Sequence, residues 1–269
     1  MLGSPIEHSK SPALHAAAYR VLGLDWQYDR ERVEADGLGD YLHTRGPDWR
    51  GLSLTMPLKE AVFPFLARID PLASAAEAVN TVLVRDDGLH GWNTDVGGIV
   101  RAVEERAMAV GNEAVLFGTG ATARSVILAL HSLGCSRLTV SGRNPSKVAD
   151  TVAFAESTGF DARPAQGALA LTRWPDEASL AVSALPGGVP VELPPVHRGL
   201  GLFDVAYSGG SLAQKWQRER PEAPVVEGID MLVHQALLQV RVFLNGSPEQ
   251  PVPDEAMVLR AMDAAVGRS

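Results

Sequence analysis

Cysteine is nearly absent from this chain: Cys135 is the only one in 269 residues. A lone thiol cannot close an intrachain disulfide or build a multi-thiolate metal site. That excludes a secreted, stapled framework and is compatible with a reducing compartment. The apolar neighbours of Cys135 suggest core filler. No run of roughly 18 continuous apolar residues occurs, and the first ten residues read as protein body rather than a leader, so a cytoplasmic protein without membrane partners is expected. No Lys/Arg cluster offsets the net charge of −8, which leaves no electrostatic footprint for nucleic acid. The seven histidines show no His-x-x-x-His or His-Glu pairing, so no metal site is expected. Lysine is scarce as well. Only Lys10, Lys59, Lys147 and Lys215 stand among 24 basic residues, leaving 20 arginines, so a lysine at a chemically interesting place carries extra weight.

What is present is ordinary globular composition, 46% hydrophobic and 21% charged, at a length that suits one large or two modest domains. Residues 2–6 read as the end of a strand running into a loop. Residues 11–24 fit a helix capped by Ser11, with Pro12 in its first turn and Gly23 as its stop. Strand-like stretches at 26–33, 51–55, 79–85 and 89–93 alternate with helical patterns at 37–44 and 58–66, the latter interrupted by Pro64. Asp86-Asp87-Gly88 is a hairpin signal. After a helix over about 97–109, a repeated β-α-β series begins, with strands at 113–117, 137–141, 180–183 and 202–205 and helices at 124–133 and 145–157. A long apolar helix over 229–244 and a closing helix over 254–266, with Asp254 as its cap, complete the chain. Strands alternating with helices predict an α/β protein.

The apolar strand 113–117 runs directly into Gly118-Thr119-Gly120-Ala121-Thr122-Ala123 and then a helix. This is the context in which Gly-x-Gly-x-x-Ala binds a dinucleotide. The first glycine makes the turn, Gly120 lets the backbone approach a pyrophosphate, and small Ala123 lets helix pack on strand. An NAD protein usually places Asp or Glu about 20 residues on. Here the end of the next strand reads Ser141-Gly142-Arg143-Asn144-Pro145-Ser146-Lys147, with no carboxylate until Asp150. A guanidinium with an ammonium beside it suits a 2′-phosphate, so the reading is NADP, with solvated surface cations as the alternative.

Three polar constellations precede that domain: residues 3–12, then Leu54-Thr55-Met56-Pro57-Leu58-Lys59, then Ala78-Val79-Asn80-Thr81 with Gly91-Trp92-Asn93-Thr94-Asp95. Each follows a strand-like stretch, and ligands of open α/β sheets bind outside the carboxyl ends of strands. Hydroxyls, an amide, a lysine and a carboxylate converging there suit a small polyhydroxylated ligand. A hydride delivered to a ketone carbon creates an alkoxide that needs a proton donor. Lysine can serve and be regenerated, whereas arginine cannot deprotonate in a protein. Taken singly these residues have blander readings. Lys59 could be a surface helix cation, Asp95, Ser9 or Ser11 a helix cap, Asn80 a turn residue, and Gln235 a polar interruption of a buried helix.

Together the motifs resemble the shikimate dehydrogenase family over essentially the whole chain. They are Ser-Pro-Ile-x-His-Ser-x-Ser-Pro at 4–12, Thr-x-Pro-x-Lys at 55–59, Ala-Val-Asn-Thr at 78–81, Asn-Thr-Asp at 93–95, the glycine loop, Arg143, and Gly228-Ile-Asp-Met-Leu-x-x-Gln235. The resemblance implies a reversible, NADP-dependent reduction of 3-dehydroshikimate to shikimate in aromatic amino-acid biosynthesis. It implies Lys59 and Asp95 as the catalytic pair, with Ser9, Ser11, Thr55, Asn80, Tyr207 and Gln235 around the substrate. Gly118, Thr119, Gly120, Ala121, Thr122, Ala123, Arg143, Asn144, Lys147 and Gly228 would hold the cofactor.

The expected architecture is therefore α/β in two domains. A substrate-binding domain comprises 1–95 plus the C-terminal helices at 229–269, a Rossmann-like NADP-binding domain comprises 96–228, and the ligand lies in a hinged cleft between them, in a monomer or homodimer. Departures from the family pattern include Ser53 and Ala16 where it commonly has Asn, Gly142-Arg143-Asn144 for Asn-Arg-Thr, and Ser183-Ala184-Leu185-Pro186 for Asn-x-Thr-Pro. They keep open a quinate or aminoshikimate dehydrogenase and, in another class, a non-catalytic NADP-binding sensor.

Overall fold

Apolar runs in this sequence are short and end at Gly, Pro or a polar pair, and in the computed structural model they become strands of two to six residues. The structure describes residues 1–44, 46, 48–195, 199–207 and 210–268. Internal contacts divide the chain into two units, Met1–Gly98 with Leu232–Ser269, and Ile99–Met231.

The first unit opens with β1 (Leu2–Gly3), α1 (Ser11–Leu22), β2 (Glu31–Arg32) and α2 (Leu38–His43). It continues with β3 (Gly51–Ser53), α3 (Leu58–Ala61), β4 (Leu66–Ile69), α4 (Pro71–Ala75), β5 (Thr81–Arg85) and β6 (Gly88–Trp92), and then enters α5 (Asp95–Glu105). Strands β3, β5, β6 and β4 form a sheet in that order, antiparallel except for the β4–β6 pair. Strands β1 and β2 pair in parallel, and Leu2 bridges to Leu54 just beyond β3. Leu38, Leu52, Leu54, Leu58, Val62 and Val82 fill the core beneath these strands.

The second unit contains β7 (Glu113–Phe117), α6 (Ala121–Ser132), β8 (Arg137–Ser141), α7 (Pro145–Ser157) and β9 (Asp161–Pro164). These are followed by β10 (Ala178–Ser183), β11 (Gly201–Asp204), α8 (Leu212–Glu219) and β12 (Val225–Glu227). All five residues of β7 are buried, as a central strand covered on both faces should be. The sheet is wholly parallel in the order β12-β11-β10-β7-β8-β9. This is the doubly wound, Rossmann-like order, and it reverses direction at β7, where such folds place a dinucleotide. Helix α9 (Gly228–Asn245) leads back into the first unit, where α10 (Glu255–Val266) packs on α1. Among the described residues, no helix is long and apolar enough to cross a membrane, and no cluster of three His, Cys, Asp or Glu could hold a metal ion.

Several local expectations are corrected. The strand expected over 26–33 shrinks to β2, because Trp26 and Tyr28 pack their rings on Tyr19 and His15 instead of entering a ladder. The helix expected over 58–66 ends after one turn. Pro64, which cannot continue an α-helix, sits in the 3₁₀ turn Phe63–Phe65, and Leu66 starts β4. Ser11 does not cap α1. Lys10 occupies the cap position without a side-chain bond, and Ser11 is a buried residue inside the first turn. Asp254 does not cap α10, since its backbone is left-handed, at φ 49°, and its side chain accepts no cap bond.

Candidate active site

The buried polar centre of the first unit is built from the ends of three elements. Thr55 accepts the Leu58 N–H through its carbonyl, which turns the chain from β3 into α3 and sets Lys59 in that helix. Asn80 stands one residue before β5, with its N–H on the Trp92 carbonyl. Asp95 is the first residue of α5. Lys59 Nζ donates to Asp95 Oδ2 at 2.5 Å, and Asn80 Nδ2 donates to Asp95 Oδ1 at 2.7 Å. Lys59 is 9% exposed and Asp95 4%, so the ion pair sits almost out of water. An ion pair so placed persists only where further hydrogen bonds satisfy the remaining lone pairs, which Asn80 provides.

Asn80 is itself held on all sides. Its Oδ1 accepts from the Thr94 N–H at 2.9 Å and the Thr81 hydroxyl at 2.8 Å, while Nδ2 also reaches Thr94 Oγ1 at 3.0 Å. Thr81, Thr94 and Asn93 carry this arrangement, although sequence reasoning gave none of them a role. Asn93 Oδ1 accepts the N–H groups of Asp95 and Val96, at 3.0 and 3.2 Å. Asn93 thus caps α5 and leaves the Asp95 carboxylate for Lys59. The signal was legible in Asn93-Thr94-Asp95, where Asn is among the best cap residues.

Gln235, on α9, is buried 3.5 Å from Asn80 Nδ2 through its Oε1, with its own Nε2 bonded to the Leu232 carbonyl. Ser9 and Ser11 form a pair at the start of α1, the Ser11 N–H on Ser9 Oγ at 3.3 Å, and Arg30 holds the Ser9 carbonyl. Both serines are buried. Thr55 is half-buried, its N–H on the Leu2 carbonyl.

In the second unit, Gly118 adopts φ +119°, and a Cβ there would lie 3.0 Å from the Ala184 carbonyl oxygen, so this turn needs glycine. Gly120 occupies the cap position of α6 with no side-chain cap, and a Cβ there would meet nothing within 4 Å. The helix N-terminus therefore faces open space, as an approaching pyrophosphate requires. Ala123 is buried against the sheet, while Thr119, Ala121 and Thr122 form the half-buried rim of the loop. Gly142 packs so closely on Thr119 that a Cβ would come within 2.8 Å of its methyl. That contact brings Arg143, exposed just past β8, beside the glycine loop. Asn144 caps α7 through bonds from the Ser146 and Lys147 N–H groups, and the Lys147 side chain is exposed one turn along.

Tyr207 is half-buried in the loop after β11. Asp204 pins both ends of that loop by accepting the N–H groups of Ala206 and Ala213, and burial raises its carboxyl above the usual range. Gly228 opens α9 hard against the Val205 carbonyl, where a Cβ would sit 2.2 Å from the oxygen.

The shikimate dehydrogenase (NADP(+)) of Methanothermobacter thermautotrophicus is 31% identical to this chain over 270 residues, covering 96% of the chain and 94% of the relative. The chain belongs to the shikimate dehydrogenase family. The family model for the shikimate dehydrogenase substrate binding domain matches residues 1–82. Among solved structures, the shikimate 5-dehydrogenase of Thermus thermophilus in complex with shikimate is 31% identical, with a TM-score of 0.80 over 99% of this chain and 97% of that one. The same enzyme in complex with NADP(H) and shikimate is similar at 29% identity and a TM-score of 0.80, over 98% and 97% of the two chains. Members of the family are oxidoreductases that use NADP.

Proposed function

We propose that this chain catalyses the reversible, NADP-dependent reduction of 3-dehydroshikimate to shikimate, with Lys59 and Asp95 handling the proton. The observation that carries the reading is the buried Lys59–Asp95 pair at 2.5 Å, held by Asn80 at the polar centre of the first unit.

NADP, when bound, supplies or accepts the hydride. The residues of the second unit fit such a dinucleotide: a glycine-only turn at Gly118, the uncapped start of α6 at Gly120, and the exposed Arg143 and Lys147 cations for a 2′-phosphate. In the reductive direction the Lys59 ammonium gives its proton to the alkoxide oxygen formed at the substrate carbonyl. In the oxidative direction the neutral amine takes the hydroxyl proton. Asp95 fixes the ammonium by its Oδ2 while its Oδ1 is occupied by Asn80, so the lysine is held to one direction. Ser9, Ser11, Thr55 and Gln235 supply hydroxyls and an amide for the carboxylate and ring hydroxyls of the substrate, and the Tyr207 hydroxyl would add a further contact to it. The loop Gly118–Ala123, Arg143 with Asn144 and Lys147, and Gly228 would hold the dinucleotide. The enzyme works in the cytoplasm as a monomer or homodimer.

The test is purified protein with NADP and, in turn, shikimate, quinate and an aminoshikimate, followed by nicotinamide absorbance. Turnover fastest with shikimate is expected. Preference for quinate or the amine would reassign the substrate, and no turnover with any of them, beside retained NADP binding, would leave a sensor.

A further inference from the structure

Outside the proposed proton-handling pair, the first unit buries a second polar chain that the reaction does not call on directly. Gln239 lies on α9 one turn beyond Gln235 and is 2% exposed. Its Nε2 donates to the main-chain carbonyl of Asn80 at 3.2 Å. Its Oε1 lies 2.9 Å from the Ser53 hydroxyl, which donates to it, and 3.2 Å from His15 Nε2. His15 is fully buried, and its Nδ1 is 3.1 Å from the Tyr19 hydroxyl.

The donor inventory leaves one assignment. A main-chain carbonyl only accepts, so the amide nitrogen of Gln239 must face Asn80 and its oxygen must face Ser53 and His15. An amide oxygen only accepts, so His15 carries its proton on Nε2. Burial lowers the His15 ring to about 3, which keeps it neutral. Its Nδ1 is then bare and accepts from Tyr19, whose phenol burial pushes up and keeps protonated. The bonds run in one direction, from the Tyr19 hydroxyl to His15, from His15 to Gln239, and from Gln239 to the Asn80 carbonyl. That carbonyl also receives the Leu54 N–H at 2.8 Å, so it is fixed from the sheet and from α9 together.

We propose that Gln239, oriented by His15 and Ser53, is a positioning residue for catalysis: it fixes the backbone of Asn80, whose side chain sets the rotation of the Asp95 carboxylate toward Lys59. The proposal rests on the reading of Lys59 and Asp95 as the proton-handling pair. Nothing in the chain requires Gln239 to touch the substrate. Its effect passes through one carbonyl and one side-chain amide, and small errors of aim at a reacting centre cost rate far more than they cost binding.

The experiment compares Gln239→Leu, which removes donor and acceptor, with Gln239→Glu, which keeps the acceptor toward Ser53 and His15 but turns it against the Asn80 carbonyl. Both should lower kcat roughly tenfold, leave the KM for NADP unchanged, and raise the primary deuterium isotope effect measured with substrate deuterated at the reacting carbon. In the unmutated protein, nitrogen-15 NMR should show His15 as the neutral Nε2–H tautomer. If Gln239→Leu does not fold, Ser53→Ala and Tyr19→Phe each remove a single donor to the same chain and should give a smaller fall in kcat of the same kind.

A lower melting temperature with kcat per folded site and isotope effect unchanged overturns the proposal, as does an Nδ1–H tautomer. Lys59→Met distinguishes the two readings. Intact turnover in Lys59→Met defeats the proton-handling reading itself, whereas an inactive Lys59→Met beside fully active Gln239 variants defeats the positioning role alone.

Discussion

Replacing Lys59 by Met separates what the lysine does for chemistry from what it does for the fold. The chemical loss is that of a positioned acid-base group, roughly 10²–10⁴ in kcat. At about 1.36 kcal/mol per decade this is about 2.7–5.5 kcal/mol of barrier. The structural loss has a different origin. Asp95, 4% exposed, loses the ammonium 2.5 Å from its Oδ2 and keeps only the Asn80 amide on Oδ1. Breaking a buried pair by removing one partner costs about 3–5 kcal/mol. The surviving Asn80 bond puts this case near the lower end, so a chain of this size should melt roughly 6–12 °C lower.

The double variant Lys59→Met with Asp95→Asn leaves no charge at this buried pair and keeps an acceptor for Asn80, so most of the melting temperature should return while turnover stays low. Melting is followed by circular dichroism, and turnover by nicotinamide absorbance at saturating shikimate and NADP. Recovery of turnover together with stability in the double variant would show that the single variant failed only as a fold. Wild-type turnover in Lys59→Met would remove lysine from the chemistry.

Arg143→Ala should weaken NADP by roughly 10–100-fold, the worth of one charge-assisted bond to phosphate, while leaving NAD nearly unchanged. Equal losses measured for both cofactors by fluorescence titration would refute contact with the 2′-phosphate. Gly118→Ala forces a side chain into φ +119° with its Cβ 3.0 Å from the Ala184 oxygen. It should cost of order 1–3 kcal/mol of stability and also weaken NADP, and a variant with a wild-type urea midpoint would contradict the strained turn. His15 gives a pH prediction. Burial lowers its folded pKa from 6.5 to about 3, so its contribution is present above pH 6.5 and is lost as pH falls toward 3. Between pH 6.5 and 4.5 this amounts to about 2 kcal/mol, which His15→Gln should not lose. Urea midpoints at the two pH values check it, and an equal acid loss in the variant would refute it.

The α/β class and the doubly wound parallel sheet were legible because their carriers are unambiguous. Residues 113–117 are continuously apolar and run straight into glycines, a pattern that suits a strand buried on both faces and little else. Elements with weaker burial escaped. Strand β4 is mostly exposed along its four residues, β9 likewise, and β12 has three residues, so none offers a period to detect. Helix α4 was missed although Asp70 caps it through bonds from the Leu72 and Ala73 N–H groups, with Pro71 following. The five-residue helix behind that signal is too short for an apolar stripe. The opposite error, a strand over 26–33, arose because alternating aromatics satisfy a strand pattern equally well when they stack on neighbouring rings.

At the site, residue types were legible and their partners were not. Serine, asparagine and aspartate just before a helix are read equally well as caps or as ligand groups, because both tasks ask for a short side chain with an oxygen. The structure separates the two tasks by counting acceptors. Three residues at the start of α5 offer oxygens, and the N–H groups of Asp95 and Val96 go to Asn93. Thr94 bonds Asn80 through its N–H and hydroxyl, which leaves both oxygens of Asp95 for Lys59 and Asn80. Asn93→Ala therefore bears on the chemistry through a residue that takes no part in proton transfer. Without the Asn93 oxygen the Asp95 and Val96 N–H groups lose their acceptor, which loosens the helix start that presents the Asp95 carboxylate to the ammonium. Lysine at position 59 answers the same logic. In a chain that otherwise prefers arginine, a cation that must both give up and regain a proton has to be an amine.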